Sequence, residues 1–305
     1  RIYADGAEMD RFGVRERRFE LSAARRLTLS ESRPVARLWG GYRREEAFFT
    51  PAPEGSGGAL PADRRFGFFF ARLELAHPDF EVERGVSYLS RDEDFDLGGG
   101  LSLELGYSPS ILGADSAFTG GLRFEKGLRF ANGFLRGSAS LSTRSRDGGF
   151  ENTLAAAELF AVWRPAPASG HTAVARTLFE WGHRLDPEIQ LAADGANGLR
   201  GYRLHAFTGD RKLIVNVEDR MRVTRELFHL VELGAAVFLD AGYAWERGQS
   251  LRLSDLRADV GTGLRIGLPR ASRHSILRLD LAYALRPDAR GRRGWLFSFS
   301  SSQAF

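Results

Sequence analysis

From Val231 to Trp245 the chain alternates with a period of two. Val231, Leu233, Ala235, Val237, Leu239, Ala241, Tyr243 and Trp245 form one row; Glu232, Gly234, Ala236, Phe238, Asp240, Gly242 and Ala244 form the other. That period predicts a strand with two unlike faces. The pattern returns with Ala258, Val260, Thr262, Leu264, Ile266 and Leu268 set against Arg257, Asp259, Gly261, Gly263, Arg265 and Gly267. It returns again with Leu277, Leu279, Leu281, Tyr283 and Leu285 against Arg278, Asp280, Ala282 and Ala284. The last run sets Trp295, Phe297 and Phe299 against Ser298, Ser300 and Ser302. Alternation alone does not say whether the apolar row meets a core or a lipid phase. Runs of about ten residues, with Tyr and Trp ending the apolar row and one hairpin following another, point to lipid. The expected fold is all-β, a transmembrane antiparallel β-barrel with its polar row inside.

Upstream, Leu101, Leu103, Leu105 and Tyr107 alternate with Ser102, Glu104 and Gly106, and Leu135, Ala139 and Leu141 with Arg136, Ser138 and Ser140. Turn signals separate the runs at Asp5-Gly6, Asn132-Gly133, Asp147-Gly148, Asp194-Gly195 and Asn197-Gly198; these dipeptides supply the positive φ that tight hairpins need. Strands are predicted near residues 12–24, 34–47, 64–76, 79–89, 95–108, 116–129, 134–146, 151–164, 171–184, 211–223, 231–246, 256–268, 275–286 and 294–305, about fourteen in all. The segment from Glu45 to Arg64, with three prolines and a Gly-Ser-Gly-Gly stretch, reads as a long flexible loop. Residues 1–30 alternate poorly, and Arg15, Arg17, Arg18, Arg25 and Arg26 would be costly in mid-membrane. No linker divides the chain, so residues 1–305 read as a single barrel domain.

Composition narrows the chemistry. No run approaches the roughly 18 apolar residues of a transmembrane helix. Cysteine is absent, which removes disulfide frameworks and thiolate metal sites. The 43 basic and 39 acidic residues nearly balance, unlike the clustered charge of a nucleic-acid footprint. The six histidines are scattered, so no metal site is expected. Gly261-Thr262-Gly263 sits inside a strand, and no nucleophile elbow or phosphate loop occurs. No enzyme activity and no cofactor are expected.

One segment, Gly195 to Arg220, carries more. Leu199-Arg200-Gly201-Tyr202 stands in a long connection, followed by a strand with Asn216, Glu218 and Arg220 on one face; the next strand carries Phe238, Asp240 and Gly242. Glu218 and Asp240 share the polar parity of their strands, so both point inward, and an inward carboxylate needs a partner. Arg200, on a loop long enough to fold inward, offers a bidentate guanidinium to either. Gly201 permits a tight turn, and Tyr202 is expected to pack beside small wall residues such as Gly242 and Gly261. Taken by itself, Arg200 reads more readily as a solvent-exposed loop arginine. Arg278 and Asp280 read as solvated lining.

The combination resembles the bacterial surface antigen family, the outer-membrane assembly and secretion superfamily of BamA/TamA-type proteins and the two-partner secretion translocators. These share an inward loop with a (V/I/L)RG(F/Y) tip, an Asn-x-Glu-x-Arg strand and a Phe-x-Asp-x-Gly strand. The resemblance covers about residues 190–305 and includes the C-terminal aromatic Phe305 as an assembly signal. It implies an Arg200–Asp240 contact with the loop as an internal strut, up to sixteen strands closed first to last across a weak seam, and residence in the bacterial outer membrane. It also implies outer-membrane lipid and unfolded outer-membrane or secreted polypeptides as partners, with accessory envelope proteins and no nucleic acid. The family's periplasmic client-receiving modules are not found in these residues. The alternatives are a passive outer-membrane channel and a barrel that anchors or exports another domain.

Overall fold

The computed structural model describes residues 1–4, 6–27, 34–52, 59–111, 113–166, 169–224, 227, 230–268 and 276–301. The strands are β1 (Ile2–Ala4), β2 (Ala7–Asp10), β3 (Phe12–Arg26), β4 (Val35–Pro51), β5 (Arg64–His77), β6 (Phe80–Arg84), β7 (Asp92–Asp96), β8 (Gly99–Ser108), β9 (Ala117–Phe130) and β10 (Gly133–Arg146). They continue as β11 (Gly149–Trp163), β12 (His171–His183), β13 (Leu191–Ala193), β14 (Phe207–Gly209), β15 (Arg211–Arg222), β16 (Glu232–Trp245), β17 (Arg257–Gly267), β18 (Ile276–Ala284) and β19 (Trp295–Ser300). Thirteen of them form one antiparallel sheet in the order β3-β4-β5-β8-β9-β10-β11-β12-β15-β16-β17-β18-β19. β1–β2, β6–β7 and β13–β14 are separate two-stranded pairs.

Register carries the apolar rows across the sheet without a break. Leu239 faces Val260, Val260 faces Tyr283, and Tyr283 faces Trp295. On this outer face Leu105, Leu122, Phe124, Leu239, Leu281 and Phe297 are all exposed. The opposite, inner face buries Glu218, Asp240, Asp259, Arg265 and Asp280. A water-soluble sheet arranges these the other way round. The turn chemistry is as the sequence suggests at Asp147-Gly148, where φ is 52° and 76° and a two-residue hairpin joins β10 to β11.

The sheet curls around its inner face. Arg64 on β5 reaches Glu188, beyond β12, and Arg144 on β10 donates to Asp186 at 2.6 Å. Two segments lie against this inner face. One, residues 184–210, leaves the end where β12 stops, the upper end here; the other, residues 78–98, leaves the lower end, between β5 and β8.

Several expectations change. Residues 79–89 do not form a strand of the large sheet: β6 and β7 pair with each other, and Gly85 at φ 76° breaks the run. β4 extends to Pro51, so the expected loop from Glu45 begins later, and its Gly-Ser-Gly-Gly stretch lies outside the described residues, as does Phe305. The arginine-rich N-terminal region does supply a strand, β3, preceded by the β1–β2 hairpin. β3 and β19 are the two edges of the sheet and are not hydrogen-bonded to each other. Because every neighbour is antiparallel and the strands number thirteen, both edges run from the upper end to the lower.

Candidate functional site

The site is built where the upper segment meets β15–β18. Asp194 shapes the segment: its carboxylate accepts the backbone N–H of Ala196 and Asn197 at 3.0 Å each and that of His205 at 2.7 Å. Its carbonyl accepts the Leu199 N–H at 2.8 Å. Gly198, at φ 107°, takes a conformation that a side chain would strain, and a Cβ there would lie 2.7 Å from Ile214. The tip Leu199-Arg200-Gly201-Tyr202 is thereby pressed onto the wall, and Leu199 packs with Phe207, Ile214 and Ala244 in a buried apolar cluster.

Arg200 is 4% exposed. Its Nε donates to Asp240 Oδ2 at 2.7 Å and its Nη2 to Asp240 Oδ1 at 2.9 Å, the bidentate fork on one carboxylate. Nη1 donates to Glu218 Oε2 at 2.6 Å. The guanidinium lies 3.4 Å from the centroid of the Phe238 ring, so its flat face is covered as well as its edges. Asn216 Nδ2 joins the wall to the segment, donating to Asp240 at 2.8 Å and to the Gly198 carbonyl at 2.7 Å. Glu218 is completed by Arg220 Nε and Arg265 Nη2, each at 3.0 Å. Arg265 Nη1 continues to Asp280 at 2.5 Å, and Asp280 also meets Arg278 at 3.1 Å. Asp280 is 1% exposed, so it is an interior ion-pair member rather than solvated lining.

The remaining sequence-selected residues fall around this cluster. Gly201 is pressed on Asp259: a Cβ at Gly201 would sit 2.5 Å from Asp259 Cβ. Asp259 lies opposite Asp240 in the register. Tyr202 donates its hydroxyl to the carbonyls of Ala258 and Arg286 at 3.1 and 3.0 Å. Burial pushes the Tyr202 phenol up to about 12. Its ring packs edge-on to Phe207, not beside Gly242 and Gly261. Those two glycines make room for other groups, Ile214 beside Gly242 and the Phe238 ring beside Gly261. Phe238 tilts that ring over Arg200, which is why a larger residue does not stand at Gly261.

The lower segment was not visible as part of the site. Glu93 accepts the N–H groups of Val86, Ser87 and Tyr88 at 3.0, 2.8 and 3.0 Å, folding residues 85–91 into a compact turn. Arg220 Nη1 donates to the Val86 carbonyl at 2.5 Å, Ser90 hydrogen-bonds to Glu232 on β16, and Leu89 fills the space left by Gly234. Glu218 therefore sits between both segments: Arg200 ties it to the upper one, and Arg220 ties it to the lower. The only sequence signal for this was the inward parity of Arg220 and Glu232. Among the described residues no group of His, Cys, Asp and Glu is arranged to hold a metal ion. A cavity of about 820 Å³ remains between the upper segment, Arg278 and the inner face of β19. No protein-family model matches this chain, and no curated protein matches it.

Proposed function

We propose that this chain is the wall of an outer-membrane β-barrel of the BamA/TamA-like assembly and translocation type, acting in the insertion or passage of polypeptides. The reading rests above all on Arg200, delivered by an inward segment onto Asp240 and Glu218 of adjacent strands. A surface loop arginine does not take up that position, because burying it demands the carboxylates that the wall supplies. The exposed apolar outer face supports the membrane part of the reading. The unpaired edges of β3 and β19 support a polypeptide role, since an open strand edge is where an extended segment adds.

The test is planar-bilayer conductance of the membrane-extracted protein, before and after removal of residues 190–212. Small fluctuating openings that enlarge on removal are expected. A large, steady conductance indifferent to the deletion would instead indicate a passive channel, the second reading, which the open cavity beside β19 favours. Assembly of a reporter outer-membrane protein in cells carrying Arg200→Ala separates the two further: the channel reading leaves it unchanged.

A further inference from the structure

One sector of the outer face gathers several arginines at its upper end. On most strands the upper end of that face finishes in aromatic residues: Tyr107, Phe118, Trp181, Tyr243, Tyr283 and Trp295. On β3, β4 and β5 the aromatic level is set by Phe19, Tyr42 and Phe69. Tyr42 and Phe69 are 5.1 Å apart between ring centroids, and Phe69 pairs across with Tyr107. The outward row of these three strands then continues upward past the aromatics. It presents Arg17 and Arg15 on β3, Arg44, Glu46 and Phe48 on β4, and Arg65 on β5. Register places Arg17 opposite Glu46, Glu46 opposite Arg65, and Arg15 opposite Phe48. Arg17 and Arg65 flank the Phe48 ring at 5.8 and 5.1 Å from its centroid. Such stacking orients a guanidinium while leaving its edge free to bind.

The charge is not cancelled locally. Arg44 is taken up by Glu46 at 2.8 Å. Among the described residues, no acidic side chain forms an ion pair with Arg15, Arg17 or Arg65, and all three are exposed. Three guanidinium groups without an acidic partner thus stand together one or two residue pairs above an aromatic girdle, whereas the other charged side chains of this face, such as Arg25, Lys126 and Arg211, stand apart from one another. In a bilayer that height is the headgroup layer, where arginine is favoured and phosphate is the chemical group it fits best.

We propose that the upper outer surface of β3–β5, formed by Arg15, Arg17 and Arg65 around Phe48, binds the phosphate of an anionic lipid headgroup. The site rests on the membrane reading given above and adds a specific lipid contact to it. It also explains why β3 and β4 run on above the girdle level that ends the neighbouring strands.

The experiment is native mass spectrometry of the detergent-extracted protein, titrated with phosphatidic acid or phosphatidylcholine in mixed micelles. Heat-dependent electrophoretic mobility is recorded on the same samples. The wild-type chain is expected to retain phosphatidic acid in preference to phosphatidylcholine. A triple variant, Arg15→Gln with Arg17→Gln and Arg65→Gln, is expected to lose that preference by roughly a hundredfold in affinity. Arg25→Gln, an outward arginine at the lower end of β3, serves as the control that keeps it. Heat-shifted wild-type and triple-variant proteins with equal preference would overturn the lipid site and leave the membrane reading standing. A wild-type chain with no heat shift and no retained lipid would overturn both. Loss of the bound lipid to stoichiometric glycerol 3-phosphate would assign the pocket to soluble phosphates and overturn the lipid assignment.

Discussion

Arg200 is held by more bonds than any surface arginine needs, and each comes from a group that is itself buried. Removing it leaves Asp240 inside with its charge uncompensated, while Glu218 keeps Arg220 and Arg265, a loss of about 3–5 kcal/mol by analogy with other broken buried pairs. Arg200→Ala is therefore expected to lower the unfolding temperature of the extracted protein. Arg200→Ala and Asp240→Ala together are expected to cost little more than either alone, because the two act as one unit. Chemical denaturation of the single and double variants measures this, and strictly additive losses would contradict the contact. Arg200→Lys keeps the charge but not the fork, so it should recover only part of the loss. Gly201→Ala places a methyl group against Asp259 and the backbone of Ala284. Overpacking of that kind costs about 1–3 kcal/mol, and wild-type stability in this variant would show that the tip does not sit on β17.

At the scale of elements, the lower segment is the part of the interior least expected from sequence. Its turn depends on Glu93, which satisfies three backbone donors, and on Arg220, which holds the Val86 carbonyl. Glu93→Ala is expected to release residues 85–91. Hydrogen exchange at the Val86, Ser87 and Tyr88 amides reads this directly, and unchanged protection would place the support elsewhere. The long strands were legible because period-two alternation persists over ten or more positions, as in β8 and β15 to β18. The inward direction of Glu218 and Asp240 followed from the same parity. Residues 79–89 misled for the same reason: Phe80 and Val82 alternate with Glu81 and Glu83 as a membrane strand would, yet only five residues stay extended before Gly85 turns the chain. Short alternation does not distinguish a spanning strand from a hairpin that folds back. The partner of Tyr202 was misjudged because parity fixes which face a side chain leaves, not which of several inner neighbours it meets. Asp280 reads as solvated lining in the sequence, and Arg265 does not stand out, because a charge on the polar row reads alike whether water or an opposite charge awaits it.

For the whole molecule, the direction of the strands sets a constraint that no single element reveals. β3 and β19 run the same way, so antiparallel closure of the sheet needs an odd number of further strands between them. Cysteine pairs test this cleanly, since the chain has no cysteine of its own. With Leu21→Cys on β3 and Phe297→Cys on β19, oxidation is expected to give no disulfide, because the two edges are not paired with each other and that bond needs Cα atoms within ~7 Å. Efficient cross-linking would mean that the two edges pair directly, in parallel. The inner ion-pair cluster, the two inward segments and the apolar exterior otherwise describe one object, a curled wall with an apolar face outside and charged braces within. Whether that wall belongs to a membrane barrel is best asked of the intact protein, by electrophoresis of the membrane-extracted chain with and without boiling, beside Arg200→Ala. A faster-migrating unboiled band is expected, with a conversion temperature that falls in the variant. Identical mobility of the boiled and unboiled wild-type chain would contradict a stable membrane barrel braced by Arg200.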